Sequence, residues 1–141
     1  MNKILIINGA NLNLLGRREK DIYGQKSFDE YLQVLKTKYP EVEIDYFQSN
    51  IEGELVNALQ NNEADGIILN AGGYTHTSVV IRDAVLSINT EVIEVHISNI
   101  AAREEFRHTS LLTPVCRGCI MGFGLESYEL ALDFFVKRFQ V

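Results

Sequence analysis

Short apolar runs recur along the chain, and each one leads into polar residues. Five of them have the length of a β-strand and cover residues 3–8, 42–48, 66–70, 92–96 and 119–122. Several are continuously apolar, a pattern typical of parallel strands that are covered on both faces. The sequence therefore predicts a central parallel sheet.

The segments between these runs repeat hydrophobic residues at the spacing of an α-helix. Three apolar stripes are clear: Phe28, Tyr31, Leu32, Leu35 and Tyr39; Ile81, Ala84, Val85 and Ile88; and Tyr128, Ala131, Leu132, Phe135, Val136 and Phe139. Ser27, three residues before Glu30, predicts a capping box at the start of the first helix. Residues 52–62 and 102–108 are predicted to be the remaining helices.

Five strands that alternate with about five helices indicate an α/β protein with a doubly wound parallel sheet. We predict the flavodoxin-like strand order 2-1-3-4-5 in a single domain over residues 1–141. Ligands bind such sheets outside the carboxyl ends of the strands. Two of the three histidines, His76 and His96, end or follow strands at that edge, together with most of the asparagines. The sequence thus predicts a site at this edge.

The long loop after the first strand combines three asparagines, two adjacent arginines and one tyrosine. Free tyrosine has a pKa of about 10, and nearby positive charge favours the phenolate. Arg17 or Arg18 beside Tyr23 could therefore create a general base near neutral pH. The alternative is structural, with Tyr23 packed on a nearby leucine and the arginines forming a solvated pair.

The fourth strand predicts a second reactive group. Its alternation places Glu94 and His96 on one face, and a charged residue in a buried strand needs a partner. A carboxylate beside an imidazole can orient it and raise its pKa, which gives a general acid. A hydrogen-bonded structural histidine is the alternative.

Polar groups beyond the third and fourth strands could hold a ligand. The backbone at Ile97 and Ser98, with the Ser98 hydroxyl, could bind a carboxylate, or Ser98 could be an ordinary helix cap. His76 could bind a ligand hydroxyl or cap its turn. Arg107 could reach the cleft or form an i, i+3 pair with Glu104.

Charge and composition exclude several function classes. The 141 residues carry a formal net charge of −6, and no dense basic patch indicates nucleic-acid binding. No apolar run is long enough for a membrane span, so a cytoplasmic location is the default expectation. No phosphate-binding glycine motif supports a nucleotide cofactor. We therefore expect no nucleotide cofactor.

Cys116 and Cys119 form a C-x-x-C pair. It could be a redox pair or half of a zinc site. Because no second pair is present and the motif occurs late in the chain, two unlinked thiols at the entry to a strand are the favoured interpretation. No other group of residues predicts a metal site.

Ordered blocks of sequence carry a resemblance to a known family. They are Gly-Ala-Asn-Leu-Asn-Leu-Leu-Gly-Arg-Arg-Glu at 9–19 with Tyr-Gly at 23–24, and further blocks at 48–53, 70–78, 81–84, 94–100 and 103–108. Together they closely resemble type II 3-dehydroquinate dehydratase over essentially the whole chain. The positions that depart from the common pattern are Ala10, Lys20, Ile51, Ala71, Gly73 and Ala101.

The resemblance implies a flavodoxin-like fold and reversible loss of water from 3-dehydroquinate, giving 3-dehydroshikimate in the shikimate pathway. It implies no metal and no cofactor, and a homododecamer built from trimers. The remaining alternative is a catalytically silent or ligand-binding flavodoxin-like oligomer.

The resemblance also implies roles for individual residues. Tyr23 would be the base, kept ionised by Arg18, and Asn11 would hold a water that stabilises the enolate. His96 would protonate the departing hydroxyl, oriented by Glu94. The remaining residues would bind substrate: Asn70, Ile97 and Ser98 its carboxylate, His76 and Arg107 its ring hydroxyls, and Asp83 the substrate of a neighbouring subunit.

Overall fold

The computed structural model describes residues 1–15 and 27–140. All five strands are present and parallel, in the predicted order β2-β1-β3-β4-β5. Their bounds are β1 Lys3–Asn8, β2 Glu43–Gln48, β3 Gly66–Asn70, β4 Val92–His96 and β5 Gly118–Met121. The prediction of the sheet is therefore confirmed. The last strand ends before Gly122, because that residue has a left-handed φ of +92°.

Within the described residues, four α-helices cover the two faces of the sheet. They are α1 Phe28–Lys38, α2 Glu52–Gln60, α3 Val79–Ser87 and α4 Glu126–Phe139. The capping prediction is confirmed, because the Ser27 side chain accepts a hydrogen bond from the backbone N–H of Glu30. None of the helices in these ranges combines the length and the hydrophobicity that crossing a membrane requires.

The buried apolar residues form one cluster on each face of the sheet. One cluster includes Phe28, Leu35 and Phe135 and joins the sheet to α1 and α4. The other includes Leu55 and Ile81 and joins it to α2 and α3. Because β3 is buried at every position, both of its faces are covered, which explains its apolar run at 67–69.

The predicted helix at residues 102–108 is wrong. The chain there forms two three-residue 3₁₀ turns, Ile100–Ala102 and Glu105–Arg107, separated by extended backbone at Arg103. A short helix in a protein is stabilised mainly by burying an apolar face. This segment has none to bury, since its one large apolar residue, Phe106, is 65% exposed. The segment instead forms part of the rim beyond β4.

Candidate active site

A cavity of about 170 Å³ opens at the carboxyl ends of β1, β3 and β4. It lies where the doubly wound sheet predicts a ligand site. The structure brings seven of the predicted site residues into its lining: Asn11, Asn70, His76, His96, Ile97, Ser98 and Arg107. These residues come from three separate parts of the sequence, so the fold assembles the site from distant segments.

The wall between β1 and β3 is peptide backbone. A Cβ atom built on Gly9 would lie 2.3 Å from the carbonyl oxygen of Ala71, and one on Gly72 would lie 2.8 Å from that of Ala10. Gly72 also has a φ of +64°, which favours glycine. These two glycines allow the strand ends to approach each other closely.

Asn11 lies at the rim with a left-handed φ of +69°. Asparagine tolerates this conformation better than most residues do. Its backbone N–H donates to Oδ1 of Asn50 at 2.9 Å, and the Gln48 amide donates to the carbonyl of Gly9 at 3.2 Å. The segment after β1 is therefore anchored to the segment after β2.

His96 and Glu94 form the predicted pair. His96 Nε2 lies 2.5 Å from Glu94 Oε2, and the Glu94 side chain is fully buried. Since an ionised carboxylate only accepts hydrogen bonds, Nε2 carries the hydrogen. The other ring nitrogen, Nδ1, is then the one available to exchange a proton with a ligand in the cavity.

Three hydroxyl groups surround the Glu94 carboxylate. Thr75 Oγ1 and Ser110 Oγ donate to Oε2 at 3.0 and 2.7 Å, and Thr113 Oγ1 donates to Oε1. Burial opposes ionisation, but the hydrogen bond and charge of His96, with Ser110 and Thr113, lower the pKa of Glu94 to about 2. Glu94 is therefore a fixed anion beneath His96 at neutral pH.

Cys119 pairs with Glu94 in the register between β4 and β5. The ligand atoms of Glu94, His96 and Cys119 lie within 4.8 Å of one another, close enough together to contact one metal ion. The carboxylate already accepts four hydrogen bonds, about as many as its lone pairs allow. A metal ion would have to displace one of these donors, so the arrangement fits a hydrogen-bonded acid better than a metal centre.

Cys116 and Cys119 are free thiols. Burial, followed by the charge of Glu94, raises the pKa of each thiol to about 12. Because the thiolate is the reactive form, this environment disfavours redox and metal chemistry. The structure supports the interpretation of two unlinked thiols.

His76 Nδ1 lies 2.8 Å from the backbone carbonyl of Thr109. The carbonyl can only accept, so Nδ1 carries the hydrogen and Nε2 is left for a ligand. Arg107 lines the cavity and also donates from Nε to Glu104 at 3.0 Å, so both of its predicted placements occur together. The two side chains give the cavity a polar wall.

Arg103 also lines the cavity, although no separate role was predicted for it. Its Nη1 lies 3.4 Å from the Ser98 hydroxyl. The cavity therefore has two guanidinium groups, those of Arg103 and Arg107, near the buried anion Glu94. The sequence signal was present, since both arginines lie in one Arg-Glu-Glu-Phe-Arg block.

Of the other four predicted residues, Glu94 lies beneath His96 rather than in the described lining of the cavity. Asp83 is exposed on α3 and does not line it. Tyr23 and Arg18 lie outside the described residues. Their roles therefore remain predictions.

A larger groove of about 690 Å³ runs between β2 and α2. Its described lining combines Lys3, Asp45 and several asparagines but contains no histidine. It also lies along the edge strand rather than at the strand ends. The smaller cavity has the paired acid and carboxylate, and we take it as the candidate active site.

Comparison with known proteins identifies the relatives of this chain. The sequence profile described as dehydroquinase class II matches residues 2–136. A 3-dehydroquinate dehydratase of an Exiguobacterium species is 52% identical over 98% of this chain and 97% of its own length. One from Caldicellulosiruptor bescii is 51% identical over 94% of each chain. The crystal structure of the type II dehydroquinase from Butyrivibrio crossotus superposes with a TM-score of 0.90 at 47% identity, covering 94% of this chain and 96% of that one.

Proposed function

The chain belongs to the class II dehydroquinase family, a family of hydro-lyases, and we propose that Tyr23 and His96 act as base and acid in its dehydration of 3-dehydroquinate. The observation that carries the proposal is the buried Glu94–His96 pair in the cavity at the strand ends. A paired imidazole in a ligand cavity is suited to deliver a proton. The product would be 3-dehydroshikimate.

The first step would be removal of a proton from C2, next to the ketone. The Tyr23 phenolate would accept this proton, and the electrons of the C–H bond would form an enolate. Positive charge from Arg18 favours the phenolate form of tyrosine. A water held by Asn11 would donate a hydrogen bond to the enolate oxygen. The position of Asn11 at the rim of the cavity supports this role.

The second step would be loss of the C1 hydroxyl. Protonated His96 would give its Nδ1 hydrogen to that oxygen, the C1–O bond would break, and water would leave. The enolate electrons would form the C1–C2 double bond conjugated with the ketone. Glu94 would stabilise the imidazolium before transfer, as its 2.5 Å contact with Nε2 supports. Proton exchange with solvent would then restore Tyr23 and His96.

The substrate would be held by groups around the cavity. The Asn70 amide, the Ile97 backbone N–H and the Ser98 hydroxyl would donate to its carboxylate. His76 Nε2 and the Arg107 guanidinium would contact ring hydroxyls. All five line the same cavity, which supports a shared ligand.

Turnover of 3-dehydroquinate tests the proposed function directly. The conjugated enone of the product absorbs ultraviolet light, so its appearance can be followed without coupling enzymes. We expect turnover that survives a chelator and survives borohydride, which traps Schiff bases. Folded, assembled protein without turnover would favour the catalytically silent alternative.

We further propose that the protein forms a homododecamer built from trimers, in which Asp83 contacts the substrate bound to a neighbouring subunit. Val79, Val80 and Leu86 are 57%, 50% and 57% exposed and surround Asp83 on α3. An apolar patch of this kind is typical of an interface.

A charge on this patch should weaken the assembly. We expect Leu86→Glu to reduce the mass measured by light scattering and to lower kcat/KM. Leu130→Glu, at an exposed leucine on α4, is the matched control. An unchanged mass for Leu86→Glu would contradict the assignment of this face.

Acid stability should depend on Glu94. Its pKa is lowered from an ordinary 4.5 to about 2 in the folded protein, so its ionised form stabilises the fold above the ordinary pKa. That stabilisation is lost as pH falls from about 4.5 to 2. The shift corresponds to about 3 kcal/mol. We expect Glu94→Gln to lower the free energy of unfolding by this order at pH 7 and by much less near pH 2.

Urea denaturation at both pH values measures this difference. Glu105→Gln, at an exposed residue of the same rim, provides the control. If Glu94→Gln lost the same stability at both pH values, the Glu94 charge would not be what stabilises the fold.

A further inference from the structure

A chain of hydrogen bonds runs beneath the cavity from Asn70 to β1. The Asn70 amide Nδ2 donates to the Tyr128 hydroxyl at 2.9 Å, and that hydroxyl donates to Oδ1 of Asn8 at 2.7 Å. All three side chains are buried, with exposures of 3%, 0% and 0% respectively. Asn8 and Asn70 are register partners at the ends of β1 and β3, while Tyr128 belongs to α4. A helix residue thus bridges two strand ends.

One backbone N–H determines which atom donates and which accepts in each of these hydrogen bonds. The N–H of Gly72 lies 3.2 Å from the Asn70 side chain and can only donate, so the Asn70 atom facing it is Oδ1. The atom facing Tyr128 is then Nδ2, which must donate. The hydroxyl hydrogen therefore points to Asn8. Burial raises the pKa of Tyr128, so that hydrogen is retained.

We propose that Tyr128 is a positioning residue that fixes Asn70 as a donor towards the substrate carboxylate. One Nδ2 hydrogen is taken by Tyr128, and the second is left for the cavity that Asn70 lines. A flipped amide would present its carbonyl oxygen to the cavity and repel an anion. Tyr128 opposes that flip because a carbonyl facing it would find the hydroxyl hydrogen already committed to Asn8. This inference rests on the proposed role of Asn70.

Removal of the hydroxyl should raise KM selectively. In Tyr128→Phe the aromatic ring can keep its edge-to-face contact with Phe28, at 4.9 Å between centroids. The Asn70 amide then keeps only the Gly72 N–H as a partner, so its donor orientation is less strongly favoured over the flipped one. We expect KM for 3-dehydroquinate to rise roughly tenfold, the size of one hydrogen bond, while kcat changes by less than about threefold.

Tyr46→Phe is the matched control. Tyr46 stacks on the same Phe28 ring at 4.8 Å and accepts a 3.4 Å hydrogen bond from Asn8, whereas the Asn70 amide donates to Tyr128. Its KM should stay near that of the wild type. A KM for Tyr128→Phe equal to that of the control, or a fall in kcat with unchanged KM, would overturn the inference.

A measurement of product binding distinguishes a failure of this inference from a failure of the proposed function. Calorimetry with 3-dehydroshikimate should give a Kd about tenfold weaker for Tyr128→Phe than for the control, without requiring turnover. Wild-type protein that binds product but does not turn over substrate would defeat only the catalytic proposal. Turnover with equal Kd values would defeat only the role of Tyr128.

A second variant covers the case in which Tyr128→Phe does not fold. Asn8→Ala removes the acceptor of the Tyr128 hydroxyl, which is then free to turn its hydrogen towards Asn70 and bind Oδ1. That change favours the flipped amide, so KM should rise in this variant also. An unchanged KM in folded Asn8→Ala would count against the proposal.

Discussion

The His96→Asn variant is expected to lose about 10²–10⁴-fold in kcat, the usual contribution of a general acid. An asparagine side chain can still donate a hydrogen bond to Glu94, but it cannot release a proton to a leaving hydroxyl. The buried carboxylate also keeps its bonds from Thr75, Ser110 and Thr113. The variant should therefore fold, and its KM should change much less than its kcat.

Initial rates over a range of 3-dehydroquinate concentrations give kcat and KM separately, and thermal unfolding confirms the fold. His108→Asn is the matched control, since His108 is an exposed histidine outside the cavity lining. It should retain nearly all activity. A kcat for His96→Asn within a few-fold of the wild type would remove His96 from the acid role.

The second large effect is expected at Tyr23. Phenylalanine keeps the aromatic ring but has no oxygen that can accept the C2 proton, so Tyr23→Phe should lower kcat by about 10²–10⁴-fold. Folding and assembly should be unchanged. Exchange of the C2 hydrogen with deuterated solvent, followed by NMR, should be lost together with turnover. Near-normal turnover would exclude Tyr23 as the base.

Tyr39→Phe is a suitable control, because the Tyr39 hydroxyl donates to Asp133 at 2.5 Å, in contact with α4 rather than the cavity. Arg18→Gln tests how the base is activated. A base acts in its deprotonated form, so activity rises with pH through its pKa. Loss of a neighbouring cation raises the pKa of tyrosine. The rising limb of the pH profile should therefore move to higher pH.

The sheet was predictable from the sequence because its signal is local and periodic. A strand such as β3 is buried at every position and has an apolar run at 67–69, and the stripe on α1 repeats with the helical period. The pairing of Glu94 with His96 was also predictable, since both lie on one face of one strand. Parallel strands then bring polar ends from distant segments to the same edge.

The hydroxyl groups that donate to Glu94, and so help to hold His96, were not predictable in the same way. Thr75, Ser110 and Thr113 come from two different connections, and each is an ordinary polar residue in the sequence. Tyr128 was predicted as a core residue of a helix, which it is, but Asn8, the acceptor of its hydroxyl, is 120 residues away in the sequence. Periodicity indicates which face is buried and does not indicate which polar atom on that face has a partner.

The misassigned helix at 102–108 has a related cause. The α/β alternation left a place for a helix in the long connection between β4 and β5, but this segment has no apolar stripe of its own. Asn99 caps a short turn by accepting from the N–H of Ala101, and Glu104 binds Arg107, so local polar contacts replace helical ones. The same contacts leave Arg103 and Arg107 at the cavity.

The backbone wall at Gly9 and Gly72 has a consequence for redesign of the substrate range. A randomised library at these two positions should return glycine under any selection, because a side chain there meets carbonyl oxygens at 2.3 and 2.8 Å. Ser98, Ile100 and Arg103 contribute side chains to the lining of the same cavity. Changes of substrate specificity should therefore be sought at these side-chain positions, and we expect Gly9 and Gly72 to be retained in every active variant.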